Sequence, residues 1–212
     1  MSETNKPENA ELEVLPPSAS EAIESAAINS QIATAKRYPR SLQAFKQRAT
    51  DMACLDEETA ESCLYRRPVG MKDGQQQYAE GMSVRMAEIV GASYGNLRVQ
   101  AQLIEQTERF VRVRGTAIDL EANFASSSEV VEPTVKKDGR PYDERMRAVI
   151  AKAALAKARR DALFQVVPKA LAKPVETAVR KLLMGDSETL TKRREKVVAW
   201  IGKLGIDPKR VY

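Results

Sequence analysis

The sequence predicts an α+β fold: helices around a small antiparallel β-ribbon or sheet, followed by a long basic helix and C-terminal helices. Three observations lead there. Apolar residues recur every three or four positions up to Tyr94, alternate with polar ones between Leu97 and Val113, and return to helical spacing from Asp143 onward. The change of period marks the sheet as an insert between two helical regions.

Residues 1–24 carry Pro7, Pro16 and Pro17 among six Glu and a single Lys6, too little apolar surface to offset chain ordering, so a flexible acidic arm is expected. From Ser20 to Arg37, Ile23, Ala26, Ala27 and Ala33 fall on one helical face and Ile28, Ile32 and Ala35 on the adjoining one, until Tyr38-Pro39 interrupts. Pro39 suits the first residue of a second helix, whose apolar positions are Leu42, Phe45, Ala49, Met52 and Ala53. A short acidic helix is expected at Asp56 to Leu64, and Tyr65-Arg66-Arg67-Pro68-Val69-Gly70 with Lys72-Asp73-Gly74 reads as a surface loop. Ser83 caps a helix through Met86, Ile89 and Val90 to Tyr94, which Gly95-Asn96 ends.

Leu97, Val99, Ala101 and Leu103 then alternate with Arg98, Gln100 and Gln102, and Val111 and Val113 with Arg112 and Arg114, giving two half-buried strands. Ile118 to Val131 is a third, less regular run. Lys136-Lys137-Asp138-Gly139-Arg140 carries a turn signal, but Pro133 and Pro141 allow only a short or edge ribbon around it. Asp143 to Val167 is an unbroken helix former stopped by Pro168, with Met146, Val149, Ala153, Ala156, Leu163 and Val167 as its expected buried stripe. Helices near Pro174 to Met184 and Ser187 to Leu204 follow, the second closed by Gly205. Asp207-Pro208 reads as one more cap, so the chain either ends on a very short element or is a shortened version of a longer protein.

Hydrophobic residues make up 43%, but 29 positions are Ala and only 11 are Phe, Trp or Tyr, so a core of small, closely approaching helices is expected, with a second chain helping to bury it. The net charge is +5, and the first 24 residues hold −5 of it, which leaves +10 on residues 25–212. A surplus of that size suits a polyanion, most often nucleic acid, although a dispersed solubilising surface has the same charge. There is no long apolar run and no apolar segment behind a basic start, so neither a membrane span nor a secretory signal is expected and the compartment is taken as cytoplasmic.

The chain has no histidine, which removes the usual general base and every Ser-His or Cys-His nucleophile pair. Cys54 and Cys63 therefore lack a zinc-type ligand set and read as reduced structural thiols; no metal or cofactor is expected. No phosphate-cradling G-x-x-x-x-G-K-[ST] run occurs, so ATP-driven chemistry is disfavoured.

Two basic tracks stand out. Period-two geometry puts Arg98, Arg112 and Arg114 on the polar face of neighbouring strands, a strip that could follow phosphates or simply keep an exposed sheet soluble. Arg145, Lys152 and Arg159, seven apart on the long helix, form a second stripe with Lys157 and Arg160 nearby, equally readable as a solvated face. Tyr65, Tyr94 and Phe110 lie near Arg66, Arg67, Arg98 and Arg109, where a base could stack on a ring, although core roles compete for them. Asp119 and Glu121, two apart on one strand face, could hold Mg²⁺ for a nuclease, the least favoured reading.

Helices, an antiparallel ribbon and then one long basic helix ending in R-R-D-A-L-F-Q-V-V-P-K-A-L resemble phage single-strand DNA annealing proteins of the RecT, Redβ and Erf groups. The resemblance covers residues 25–185 and rests on Tyr65-Arg66-Arg67-Pro68, Ser83-Val84-Arg85-Met86-Ala87-Glu88-Ile89, Tyr94-Gly95-Asn96-Leu97-Arg98 and residues 148–171. It implies an ATP-independent, non-enzymatic protein of phage homologous recombination. Such a protein assembles into rings or helical filaments, holds one DNA strand in a basic groove, lets a complementary strand pair, and partners a phage exonuclease or a host single-strand binding protein. On that implication residues 25–185 are the annealing core and residues 186–212 a C-terminal helical segment. Arg98, Arg112, Arg114, Lys152, Arg159 and Arg160, with Tyr94 and Phe110, are the expected DNA contacts from spacing and charge. The rival is a structural or regulatory protein that binds duplex DNA, with residues 187–204 in a helix-turn-helix.

Overall fold

Ser18 opens the first helix: its hydroxyl accepts from the Glu21 amide at 3.3 Å while the Glu21 carboxylate accepts from the Ser18 amide at 2.7 Å, a reciprocal cap. The computed structural model describes residues 18–185 and 187–203, and the fold is α+β. Helix α1 (Ala19–Arg37) thus takes in the end of the expected acidic arm; residues 1–17 lie outside the described residues, as do Gly205 and Asp207-Pro208. Most of α1 is exposed, and of its side chains Ala35 alone is fully buried.

Helices α2 (Leu42–Ala53) and α3 (Glu57–Ser62) follow. Ser41, not Pro39, sets the start of α2, because its hydroxyl accepts from the Ala44 amide. The segment expected as a loop is a hairpin, β1 (Leu64–Lys72) with β2 (Gln75–Met82), running from Leu64 opposite Met82 to Lys72 opposite Gln75. Asp73 and Gly74 both have positive φ, 51° and 76°, the turn geometry that matches the twist of a hairpin. A bulge between Pro68 and Gly70 breaks the two-residue alternation that would have announced the strand.

Helix α4 (Val84–Tyr94), capped by Ser83 and closed by Gly95 at φ 69°, leads into an antiparallel sheet of β3 (Leu97–Gln106), β4 (Phe110–Asp119) and β5 (Phe124–Pro133), with β4 central. A bulge sits between Leu103 and Glu105. Val135 and Pro141 form a single bridge around the Asp138-Gly139 turn, the short ribbon expected there.

Helix α5 (Glu144–Val166), capped by Asp143, crosses one face of the sheet. Its buried stripe is Ala154, Ala158, Ala162, Leu163 and Val166; Met146 and Val149, expected inside, are exposed. Smallness decides this. At Gly115 on β4 an added Cβ would overlap the Ala158 backbone, so the alanine face can descend onto Val111, Val113 and Ala117 where bulkier side chains cannot. The close approach is therefore helix on sheet.

Helix α6 (Lys169–Met184) begins five residues before the expected Pro174 start and keeps Pro174 inside; α7 (Ser187–Lys203) follows. The main apolar cluster joins Phe45 and Ala49 of α2, Met86 and Val90 of α4, Leu163 at the end of α5, and Val175 and Val179 of α6. Cys63 is buried in it, Cys54 borders it, and both are free thiols whose pKa values burial raises.

Candidate nucleic-acid interface

Strand β4 separates two surfaces. Val111, Val113, Gly115 and Ala117 face α5, so Arg112 and Arg114 point the other way. Register places Gln102 opposite Arg114 and Arg98 opposite Ile118, which puts Arg98 on that same outer face. Period two therefore gathers the three sheet arginines, but on the side away from α5, and they do not form one groove with Lys152, Arg159 and Arg160.

Each sheet arginine also has a carboxylate. Arg98 donates to Glu24 of α1 at 2.9 Å, Arg114 lies 2.6 Å from Glu129, and Arg112 lies 3.9 Å from Glu105. Three cations facing three carboxylates balance the charge of this strip, with Arg98 and Arg114 hydrogen-bonded to their partners and Arg112, whose Nε has no hydrogen-bond partner, only loosely paired. Phe110 shares this face, with the Arg112 guanidinium 5.9 Å from its ring.

Tyr94 is 7% exposed, which corrects its expected role as a platform for bases. Its ring meets Phe45 edge-on at 5.4 Å, and the Arg40 guanidinium lies 3.9 Å from its centroid. Arg40 in turn grips Asp119 with both terminal nitrogens, Nη1 at 2.7 Å from Oδ2, and donates through Nε to Glu121 at 3.0 Å. The Glu121 and Ala122 amides also donate to Asp119 Oδ1, and Asn96 donates to Glu121. Burial opposes ionisation of Arg40, Asp119 and Glu121, but these hydrogen bonds outweigh it: the guanidinium pKa is raised and both carboxyl pKa values are lowered. The pair considered for Mg²⁺ is thus committed to a buried arginine, and no cluster of three or more potential metal ligands occurs among the described residues.

The α5 cations border a different surface. A cleft of about 670 Å³ runs between α5, the start of α4 and the root of the β1–β2 hairpin. Arg67 comes from β1, Arg85 from the first turn of α4, and Lys157 and Arg160 from α5, over apolar Val84, Val130, Ala153 and Ala156. Two carboxylates sit among them: Glu132 holds Lys157 at 2.6 Å and Asp161 holds Arg160 at 2.8 Å, while Arg85 pairs with Glu88 at 2.8 Å. Arg67 has no ion-pair partner among the described residues. Beyond Arg160 the depression continues as recesses of about 380 and 370 Å³ bordered by Arg159, the latter also by Lys152, along Val99 of β3.

The structure therefore brings Lys152, Arg159 and Arg160 together along one depression and adds Arg67, Arg85 and Lys157. The signal for the added wall was the Asp73-Gly74 turn, which makes the hairpin that carries Arg67. Among the described residues no helix is long and apolar enough to cross a membrane. No family model, curated protein or solved structure matches the chain.

Proposed function

We propose that this protein binds single-stranded DNA along the α5 depression and anneals complementary strands without ATP, as a homo-oligomer in phage homologous recombination. One observation carries the reading: cations from three separate elements, Arg67, Arg85, and Lys157 with Arg160, outnumber the carboxylates Glu132 and Asp161 around one open cleft that apolar Val84, Val130, Ala153 and Ala156 also line. Phosphates beside such cations release counterions, while an apolar lining favours exposed bases, which a paired duplex does not offer. Annealing needs little further chemistry, since two polyanions pair once their mutual repulsion is screened and the base edges stay free. A cleft of this size holds only a short stretch of strand, so neighbouring copies must extend it. Exposed Ile23, Val69, Met71, Val149 and Trp200 offer apolar surface for such association.

The test compares two double variants. Arg67→Ala with Arg85→Ala is expected to weaken single-strand binding, to flatten its log–log salt dependence by about 0.7 for each phosphate no longer neutralised, and to slow pairing of complementary oligonucleotides without ATP. Arg112→Ala with Arg114→Ala is expected to do less, because those side chains lie on the face of the sheet away from α5 and the cleft. Wild-type annealing by the cleft variant refutes the proposal; tighter binding to duplex than to single strands favours the duplex-binding alternative.

A further inference from the structure

Tyr65 is the aromatic side chain at the root of the hairpin. It stands opposite Gly81 on β2, where an added Cβ would lie 3.0 Å from the Tyr65 hydroxyl, so the glycine leaves room for the ring to lie against the neighbouring strand. The half-buried ring borders both the 670 Å³ cleft and an adjoining recess of about 270 Å³ that Lys169 and Phe164 also line. The Arg160 guanidinium lies 5.4 Å from its centroid, tethered to Asp161 at 2.8 Å.

Other rings near cations are differently placed. Tyr94 is buried between Arg40 and Phe45, Tyr78 lies on the opposite face of the hairpin with Arg66 3.9 Å above it, and Phe110 lies across the sheet from α5. Tyr65 alone of these combines an open cavity, a flat seat and surrounding cations.

We infer that Tyr65 is a base-stacking site: one unpaired base of the bound strand enters the cleft and stacks on the Tyr65 ring, and its flanking phosphates are held by Arg67 and Arg160. The inference rests on the reading that this cleft binds single-stranded DNA. A stacked base takes the space that the Arg160 guanidinium occupies over the ring, so Arg160 exchanges its cation–π contact for a phosphate. Stacking is tolerant of base identity, since every base has a π-face. It requires an unpaired base, however, and so separates single strands from duplex at a residue that makes no base-edge hydrogen bond. Each protomer then holds one base out of the pairing register until the incoming strand draws it off the ring.

The experiment is fluorescence anisotropy with a deoxythymidine oligomer and a same-length abasic strand that keeps the phosphates and lacks the bases. The intact protein is expected to prefer the thymidine strand by about ten-fold. Tyr65→Leu is expected to weaken binding of the thymidine strand more than that of the abasic strand and so reduce the preference, and Tyr65→Trp to retain it. In a Trp200→Phe background the indole of the Tyr65→Trp variant should be quenched by the thymidine strand and not by the abasic one. Equal binding of the two strands by the unmodified protein, or equal losses on both in Tyr65→Leu, overturns the stacking site while leaving the cleft a DNA site. Binding of neither strand overturns the site together with the reading it rests on.

Discussion

Asp119→Ala separates a structural carboxylate from a metal-binding one. Asp119 accepts two bonds from the Arg40 guanidinium and one each from the Glu121 and Ala122 amides, and the Arg40 and Asp119 side chains are 9% and 5% exposed. Removing the carboxylate leaves a buried guanidinium with Glu121 as its remaining ionic partner, and leaves two amides without their acceptor. Breaking one side of such a pair costs about 3–5 kcal/mol. For a chain of this length that lowers the melting temperature by about 6–20 °C, at about 2–4 °C per kcal/mol. Differential scanning calorimetry checks the shift, and a double-mutant cycle with Arg40→Met isolates the pair, because the double variant should cost less than the two single changes added together. The acid limb carries the same information. The folded-state pKa values of Asp119 and Glu121 are lowered, so their stabilisation is complete above the unfolded carboxyl value of about 4 and is lost as pH falls through the folded values. Asp119→Asn should therefore flatten the pH dependence of stability below about pH 4. An unchanged melting temperature in Asp119→Ala, together with loss of a Mg²⁺-dependent cleavage activity, would refute this reasoning and restore the nuclease reading.

Gly115→Val should destabilise the fold by more than the about 1–3 kcal/mol typical of overpacking, because the atom it meets is the Ala158 backbone rather than a movable side chain; a urea melt reads the change. Asp73→Val with Gly74→Val should loosen the hairpin, since both positions have positive φ and β-branched residues resist it. Because the hairpin carries Arg67 and Tyr65 to the cleft, the expected readout is faster amide exchange in β1 and β2 and weaker single-strand binding, with the α2–α4–α6 core still protected. Unchanged DNA affinity with an unprotected hairpin would show that this wall is dispensable.

Much of the fold was legible because its signals are local. Ser83, Gly95 and Asp143 delimit α4 and α5 through hydrogen bonds and dihedral angles that span a few residues. Alternation on β4 correctly put Arg112 and Arg114 on one face. The hairpin is hardly legible in the sequence because its bulge breaks the alternation and both strands are largely exposed, leaving only Asp73-Gly74 as a signal. The buried stripe of α5 is legible only at its C-terminal end, where Leu163 and Val167 are buried as expected: alanine is spread around the rest of that helix, so its faces differ little in hydrophobicity, and the lack of a Cβ at Gly115, forty-three positions before Ala158, selects among them.

The sequence alone determined the order and type of most elements, the basic surplus outside the first 24 residues, and the absence of histidine chemistry, because periodicity, caps and composition are properties of neighbouring residues or simple counts. Only the tertiary structure decided which charges remain available and which rings are reachable. Arg98 meets Glu24 across 74 positions, and Arg40 meets Asp119 and Glu121 across 79 and 81. Neutralisation of a charge and burial of a ring depend on distance in space, and in a folded chain the nearest carboxylate to an arginine need not be near it in sequence.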